Sequence, residues 1–274
     1  SRRMITAVLA RQFWAILKKD VLLEYSYRLQ FVLNLAGVFL ELAMFFFLAK
    51  LVKMPASMEQ YGGNYFAFLA VGLAFGQYQW ISLHTFAQSL REQQVMGTLE
   101  MIFASPMRPE TLIVGSSLWT YLFETIVIVL NLGMAALFFG LDLSNANLLS
   151  ALAVIVMTIL AMSAFGVLSA AFIVVFKRGD PVTWVFATVS GLLGGIYYPI
   201  EVLPPFLKSL SALLPITHAL KAIRLAVLKG YPVQRLSTEL IVLGVFAVFL
   251  LPVSLFAFRR AVNIARRDGT LSQY

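Results

Sequence analysis

The chain has 274 residues, 60% hydrophobic and only 12% charged, about half the roughly 25% charged share of a soluble domain. A mean hydropathy of +0.85 excludes an ordinary soluble enzyme: crossing the hydrocarbon takes roughly 20 apolar residues, so about six spans use about half the chain and leave short connections. The formal charge of +8 fits cytoplasmic loops beside anionic headgroups better than nucleic acid, because no basic stripe carries interleaved aromatics; and the absence of cysteine excludes disulfides, thiolate metal sites and a Cys nucleophile.

In chain order, residues 1–28 are too charged to span. On a helical wheel Ile5, Val8, Leu9, Phe13 and Ile16 share one side and Arg11 and Lys18 lie opposite, the pattern of an amphipathic helix in the headgroup plane, with Lys19 snorkelling from its apolar edge. An ordinary cytoplasmic helix is the alternative. No apolar core with a small-residue cleavage site follows Arg2 and Arg3, so a cleavable signal peptide is not expected. Six spans are predicted at 29–51, 65–90, 112–139, 148–176, 182–198 and 237–258, in one transmembrane domain covering 1–274. Basic residues precede the first span (Arg11, Lys18, Lys19, Arg28) and follow the last (Arg259, Arg260, Arg266, Arg267), which predicts cytoplasmic termini and an even number of crossings.

That orientation leaves Lys208, Lys221, Arg224, Lys229 and Arg235 on the outer side, all within one segment. Prolines at Pro199, Pro204, Pro205 and Pro215 break it into pieces too short to cross, and Pro205 and Pro215 suit first helical positions. Residues 199–236 therefore read as a re-entrant or interfacial helical hairpin, tolerated at membrane depth where it packs on protein or lines a cavity; an extracellular cap without a gating role is the alternative. The glycines Gly191, Gly194 and Gly195 read as a close-packing face, with Gly166 and Ala170 in the preceding span as a second small-residue pair. Gly194 and Gly195 also suit the place where helix yields to hairpin. There is no G-x-x-x-x-G-K-[ST] phosphate loop, so the chain does not hydrolyse ATP by that route.

Between the second and third spans, residues 91–106 place Val95, Leu99 and Ile102 on one helical face, flanked by Met96 and Phe103. This is a short helix across the cytoplasmic surface, with an apolar side that docks on the membrane interface or into a partner protein.

At these residues the chain resembles a known family. The run 92–106, with Gly97-Thr98-Leu99-Glu100 and Ser105-Pro106, looks like the coupling helix of permease subunits of type-2 ABC (ATP-binding cassette) exporters. The later run, with Gly194-Gly195, Tyr198-Pro199, Leu203-Pro204, Leu214-Pro215-Ile216-Thr217 and Arg224, looks like that family's outer re-entrant hairpin between spans five and six. With the amino-terminal helix and six spans, the resemblance covers nearly the whole chain. It implies an all-α permease in a bacterial inner membrane that forms a homodimer and binds two ATPase subunits, which carry the ATP and Mg while this chain carries no cofactor and is not itself an enzyme. It further implies that Glu92, Gly97, Thr98, Leu99 and Glu100 contact the ATPase, and that the amino-terminal helix helps to seat it. The Leu-Pro-Ile-Thr-His run at 214–218 looks more like drug or lipo-oligosaccharide exporters than O-antigen exporters; drug, lipid, glycolipid and polysaccharide all stay open as substrates.

Buried ionisable groups complete the candidates. Glu41 and Glu124 are costly in hydrocarbon and should find partners such as Asn34, Asn131, Thr120 or Thr125. Glu41 reads either as a handle on the translocation path or as a structural brace, and Tyr197, Tyr198, Pro199 and Pro215 are candidate path or gate residues. His84 and His218, far apart, make no metal site. The aromatics Tyr65, Phe66, Phe68, Phe75, Tyr78, Trp80, Tyr197 and Tyr198 read as an outer interfacial belt or as a stacking surface for sugars. Two other functions remain: an ion-coupled transporter or channel using Glu41 as its coupling carboxylate, and an intramembrane enzyme, for which no catalytic constellation is present.

Overall fold

The computed structural model describes residues 28–52, 56–95, 109–176 and 181–267. Among them the helices are α1 (Arg28–Leu51), α2 (Tyr65–Val95), α3 (Pro109–Phe139), α4 (Leu148–Phe176), α5 (Pro181–Leu193), α6 (Pro205–Ser211), α7 (Pro215–Leu228) and α8 (Ser237–Arg267), with 3-10 turns at Ala56–Tyr61, Ile200–Val202 and Val233–Leu236 and no strand. The expected amphipathic helix before Arg28 and residues 96–106 of the expected coupling helix lie outside the described residues. Residues 91–95 continue α2 without a break.

Helices α1, α2, α3, α4 and α8 are each long and apolar enough to cross a membrane. Of the predicted fifth span at 182–198, only the first part is helical: α5 has 13 residues, about 20 Å at 1.5 Å per residue, and residues 194–198 run on without helix until the Tyr197 carbonyl meets the Tyr65 hydroxyl at the start of α2. Glycines end α5. A Cβ on Gly194 would sit 2.8 Å from Cγ2 of Ile216, and Gly195 adopts φ +81°, a conformation costly for any residue with a side chain. The chain then turns into α6 and α7, which meet at 86°, each with proline at its first turn.

α2 forms the centre: 72% of its apolar stretch is buried, against 6% for that of α1. α4 packs on α2 and most extensively on α8, running in the same direction as α8, with Met157 beside Gly244 and Phe172 and Phe176 beside Arg260 and Ile264. Gly166 lets α4 press on α2, where a Cβ would run into the Ser82 carbonyl. Lipid is as apolar as these side chains, so close packing and hydrogen bonds hold the helices together. Tyr121 bridges α2, α3 and α4 by hydroxyl contacts of 3.0 Å to both Ser82 and Ser163, Tyr78 meets Thr125 at 2.7 Å, and Ser169 meets Thr183 at 2.8 Å.

The central place of α2 also corrects the aromatic expectation. Phe66, Phe68, Phe75 and Tyr78 are core residues at 5%, 0%, 2% and 0% exposure, so they form neither a belt nor a sugar-stacking surface; Trp80 and Tyr197 remain exposed.

The bent pair α6 and α7 packs at the end of the bundle where α2 and α4 begin. The Asn147 amide, at the start of α4, donates to the Ala226 carbonyl at 2.9 Å, and the Asn147 side chain caps the first turn of α4 through the Ser150 amide at 3.0 Å. The opposite end of the bundle receives the end of α2, the end of α4 and the end of α8.

Candidate functional site

A helix that stops at membrane depth leaves its last carbonyls without intrahelical partners, and in hydrocarbon each must be met from within the protein. At the end of α5, side chains answer five of the six carbonyls from Leu192 to Tyr197. The Tyr198 hydroxyl donates to Leu192, Ser211 to Leu193 at 2.7 Å, Arg224 to Gly195 at 2.7 Å and Ile196 at 2.9 Å, and Tyr65 to Tyr197 at 3.1 Å.

Arg224 is the centre of this arrangement. It is 2% exposed on α7, and Nε donates a third bond, to the Phe68 carbonyl on α2 at 3.1 Å, while the guanidinium lies 3.4 Å from the centre of the Phe68 ring. A cation at a helix C-terminus is favoured by the helix dipole, and the planar fork serves two neighbouring carbonyls as a lysine does not. Gly72, one turn beyond Phe68, makes room: a Cβ there would collide with the guanidinium and stand 2.6 Å from the Ile196 carbonyl oxygen. One side chain thus ties α2, the end of α5 and α7 together. Beside it Tyr61 is buried, and burial, reinforced by Glu201, pushes its phenol up from the ordinary value, so it remains a neutral hydroxyl.

A second polar place lies between α1, α2 and α3. Glu41, Gln77 and Asn131 line a notch of about 20 Å³ together with apolar residues including Val38, Leu42 and Ala74. Each of the three lies near the middle of its apolar stretch, in Phe31–Leu51, Tyr65–Phe86 and Trp119–Phe139. Asn131 is 4% exposed, and among the described residues its Oδ1 has no hydrogen-bond partner. Glu41 is exposed on its helix.

The residues singled out from the sequence therefore fall into three groups. Tyr197, Tyr198, Pro199 and Pro215 come together at the α5 end and the hairpin: Tyr197 exposed, Pro199 and Pro215 buried, and Pro215 opening α7. Glu41 joins Asn131 in the notch, whereas Thr125, also considered as a partner for a buried glutamate, is engaged with Tyr78 and with the Tyr121 carbonyl at 2.7 Å. Glu92 lies on the last turns of α2, and Gly97, Thr98, Leu99 and Glu100 lie outside the described residues. His84 stacks on Trp80 with ring centres 3.8 Å apart and hydrogen-bonds the Trp80 carbonyl at 2.8 Å; His218 hydrogen-bonds the Ala212 carbonyl at 2.9 Å. Among the described residues no three His, Cys, Asp or Glu approach as metal ligands would.

The sequence presents Arg224 as one of the outer basic residues and as part of a motif, but does not point to Ser211, Gly72 or Gln77. The available signal was an arginine in an otherwise apolar helical run, a residue type that near a membrane calls for a named partner.

No curated protein matches the chain. The membrane-domain model described as ABC-2 type transporter, however, matches residues 11–228, a stretch that takes in α1 through α7 and both polar places. The chain belongs to the ABC-2 type transporter family, as a multi-pass membrane permease that associates with ATP-binding cassette partners.

Proposed function

We propose that the chain is the permease half of an ATP-driven exporter of a hydrophobic or amphipathic substrate, working as a homodimer with two ATPase subunits in a bacterial inner membrane. The observation that carries this reading is the α5 end: a 13-residue apolar helix whose closing carbonyls are tied by Arg224 to the bent pair α6 and α7. ATP and Mg belong to the partner subunits, in keeping with a sequence that has no phosphate loop. Both termini are cytoplasmic in this reading, so the hairpin faces outward. Residues Glu92, Gly97, Thr98, Leu99 and Glu100 receive the motion of the ATPase, and the hairpin, with Tyr197, Tyr198, Pro199 and Pro215, forms the outer gate. Because α5 and the hairpin move as one tied unit, closure of the ATPase dimer reaches the gate as a rigid displacement rather than as local unfolding.

The test is co-expression of the chain with an ATPase encoded beside it, purification in detergent, and comparison of wild type with Glu100→Arg for co-purification and ATP hydrolysis. A stoichiometric ATPase, lost or uncoupled by the charge reversal, supports the reading. Absence of any ATPase, with solute movement down an ion gradient in liposomes, overturns it. Pro215→Ala should impair export while leaving ATPase binding intact; loss of ATPase binding instead would contradict the division of roles between the two ends.

A further inference from the structure

We infer that the notch between α1, α2 and α3 is a binding site for a primary ammonium group, and that amphipathic amines are the substrate class it selects. The inference deepens the exporter reading above and rests on it for its transport meaning.

Three observations carry it. First, the notch is rich in acceptors: the Glu41 carboxylate, the Gln77 amide and the Asn131 carbonyl oxygen, the last buried and unpartnered among the described residues. A buried acceptor without a donor costs free energy in water-free surroundings, so the Asn131 oxygen, set beside Glu41 and Gln77 in an open notch, calls for a donor from outside the chain, either a ligand or a water. Second, the three residues come from three different helices and meet near the middle of their apolar stretches. There an ionised carboxylate is expensive unless a cation joins it, and ionisable residues at that depth mark ligand and ion pathways. Third, size sets the chemistry. At about 20 Å³ the notch admits one water-sized group, which needs two to four polar partners to be held. A primary ammonium has that size, offers three N–H donors and carries the charge Glu41 lacks, whereas a trimethylated ammonium offers no donor and is too large. The lining is otherwise apolar, and Glu41 is exposed on α1, so the group enters from the side while its hydrocarbon tail stays against Val38, Leu42 and neighbouring apolar surface.

The probes are three twelve-carbon amphiphiles: dodecylamine, dodecyltrimethylammonium and dodecanol. The full chain in lipid nanodiscs is incubated at neutral pH with radiolabelled dodecylamine, empty nanodiscs are subtracted, and each unlabelled compound is used as competitor. Dodecylamine should compete at a concentration at least about tenfold below the other two, the least that one charge-assisted hydrogen bond provides. Glu41→Gln and Asn131→Leu should each erase the preference, and Glu59→Gln, an exposed carboxylate on the turn Ala56–Tyr61, should keep it. Equal competition by all three compounds means apolar partition, with the notch holding water alone, and overturns the proposal. Equal competition by the two cations means unspecific charge attraction and does the same, as does a preference that survives both notch substitutions. Binding is measured on the chain alone and ATPase co-purification is scored separately on wild type, so the notch can fail while the exporter reading stands, or the reverse.

Discussion

The end of α5 and the notch beside Glu41 are both polar places in an apolar protein, and they are built in opposite ways. At the α5 end the exposed carbonyls are mostly answered: Tyr198, Ser211, Arg224 and Tyr65 between them meet those of Leu192, Leu193, Gly195, Ile196 and Tyr197, five of the six from Leu192 to Tyr197. In the notch, Asn131 keeps a buried oxygen without a partner. A satisfied polar cluster is rigid and specifies one arrangement, while an unsatisfied one holds free energy that a ligand can recover. The first belongs to the mechanical frame of the permease and the second to recognition.

The comparison breaks most sharply at Arg224. Arg224→Met strands the carbonyls of Gly195 and Ile196, while that of Phe68 keeps its bond within α2, and should lower stability by about 2 kcal/mol or more, each stranded group costing about 1–3 kcal/mol. It should be read as a large drop in the thermal midpoint in detergent, with new protease sensitivity between Gly194 and Pro215. Arg224→Lys should fall between the two, because an ammonium cannot span the carbonyls of Gly195 and Ile196 as a planar fork does. Next in size is Gly72→Ala. Its methyl group would occupy guanidinium space, and overpacking of this kind costs about 1–3 kcal/mol; a thermal midpoint equal to wild type would mean that Arg224 has a second resting place. Ser211→Ala should cost about 1 kcal/mol, the worth of one hydrogen bond, here the one to the Leu193 carbonyl. Asn131→Leu should have the smallest effect and the opposite sign, leaving stability unchanged or raising it by up to about 1 kcal/mol, because it deletes a buried polar group that lacks a partner. A loss of several kcal/mol at Asn131 would show that the notch is structural and would erase the contrast.

Much of the frame was legible in the sequence because hydrophobic runs and proline punctuation are local signals. The predicted ends at Leu51, Phe139 and Phe176 and the predicted starts at Tyr65, Leu148 and Ser237 coincide with helix ends, and the two prolines expected at first helical positions, Pro205 and Pro215, occupy them. The helix of the fifth span ends five residues before the expected end of the span, for a reason that local pattern does not carry. Residues 194–198 are apolar enough to continue α5, but Ile216 from α7 occupies the space and Gly195 turns the chain. The aromatics were misjudged for a similar reason: the same run of rings reads as a lipid-facing belt or as a core according to where α2 stands among its neighbours.

Composition and hydropathy by themselves determined that the chain lives in a bilayer, where its long helices run and where the chain must bend, since each follows from whether a short stretch prefers hydrocarbon and can complete its own hydrogen bonds. Tertiary structure alone decided which helix is central, that Arg224 closes the end of α5 across 28 and 29 residues of sequence, and that Glu41, Gln77 and Asn131 share one notch at mid-depth. Those are pairings between side chains on different helices, and the sequence leaves the rotation of each helix about its axis free until its neighbours pack against it.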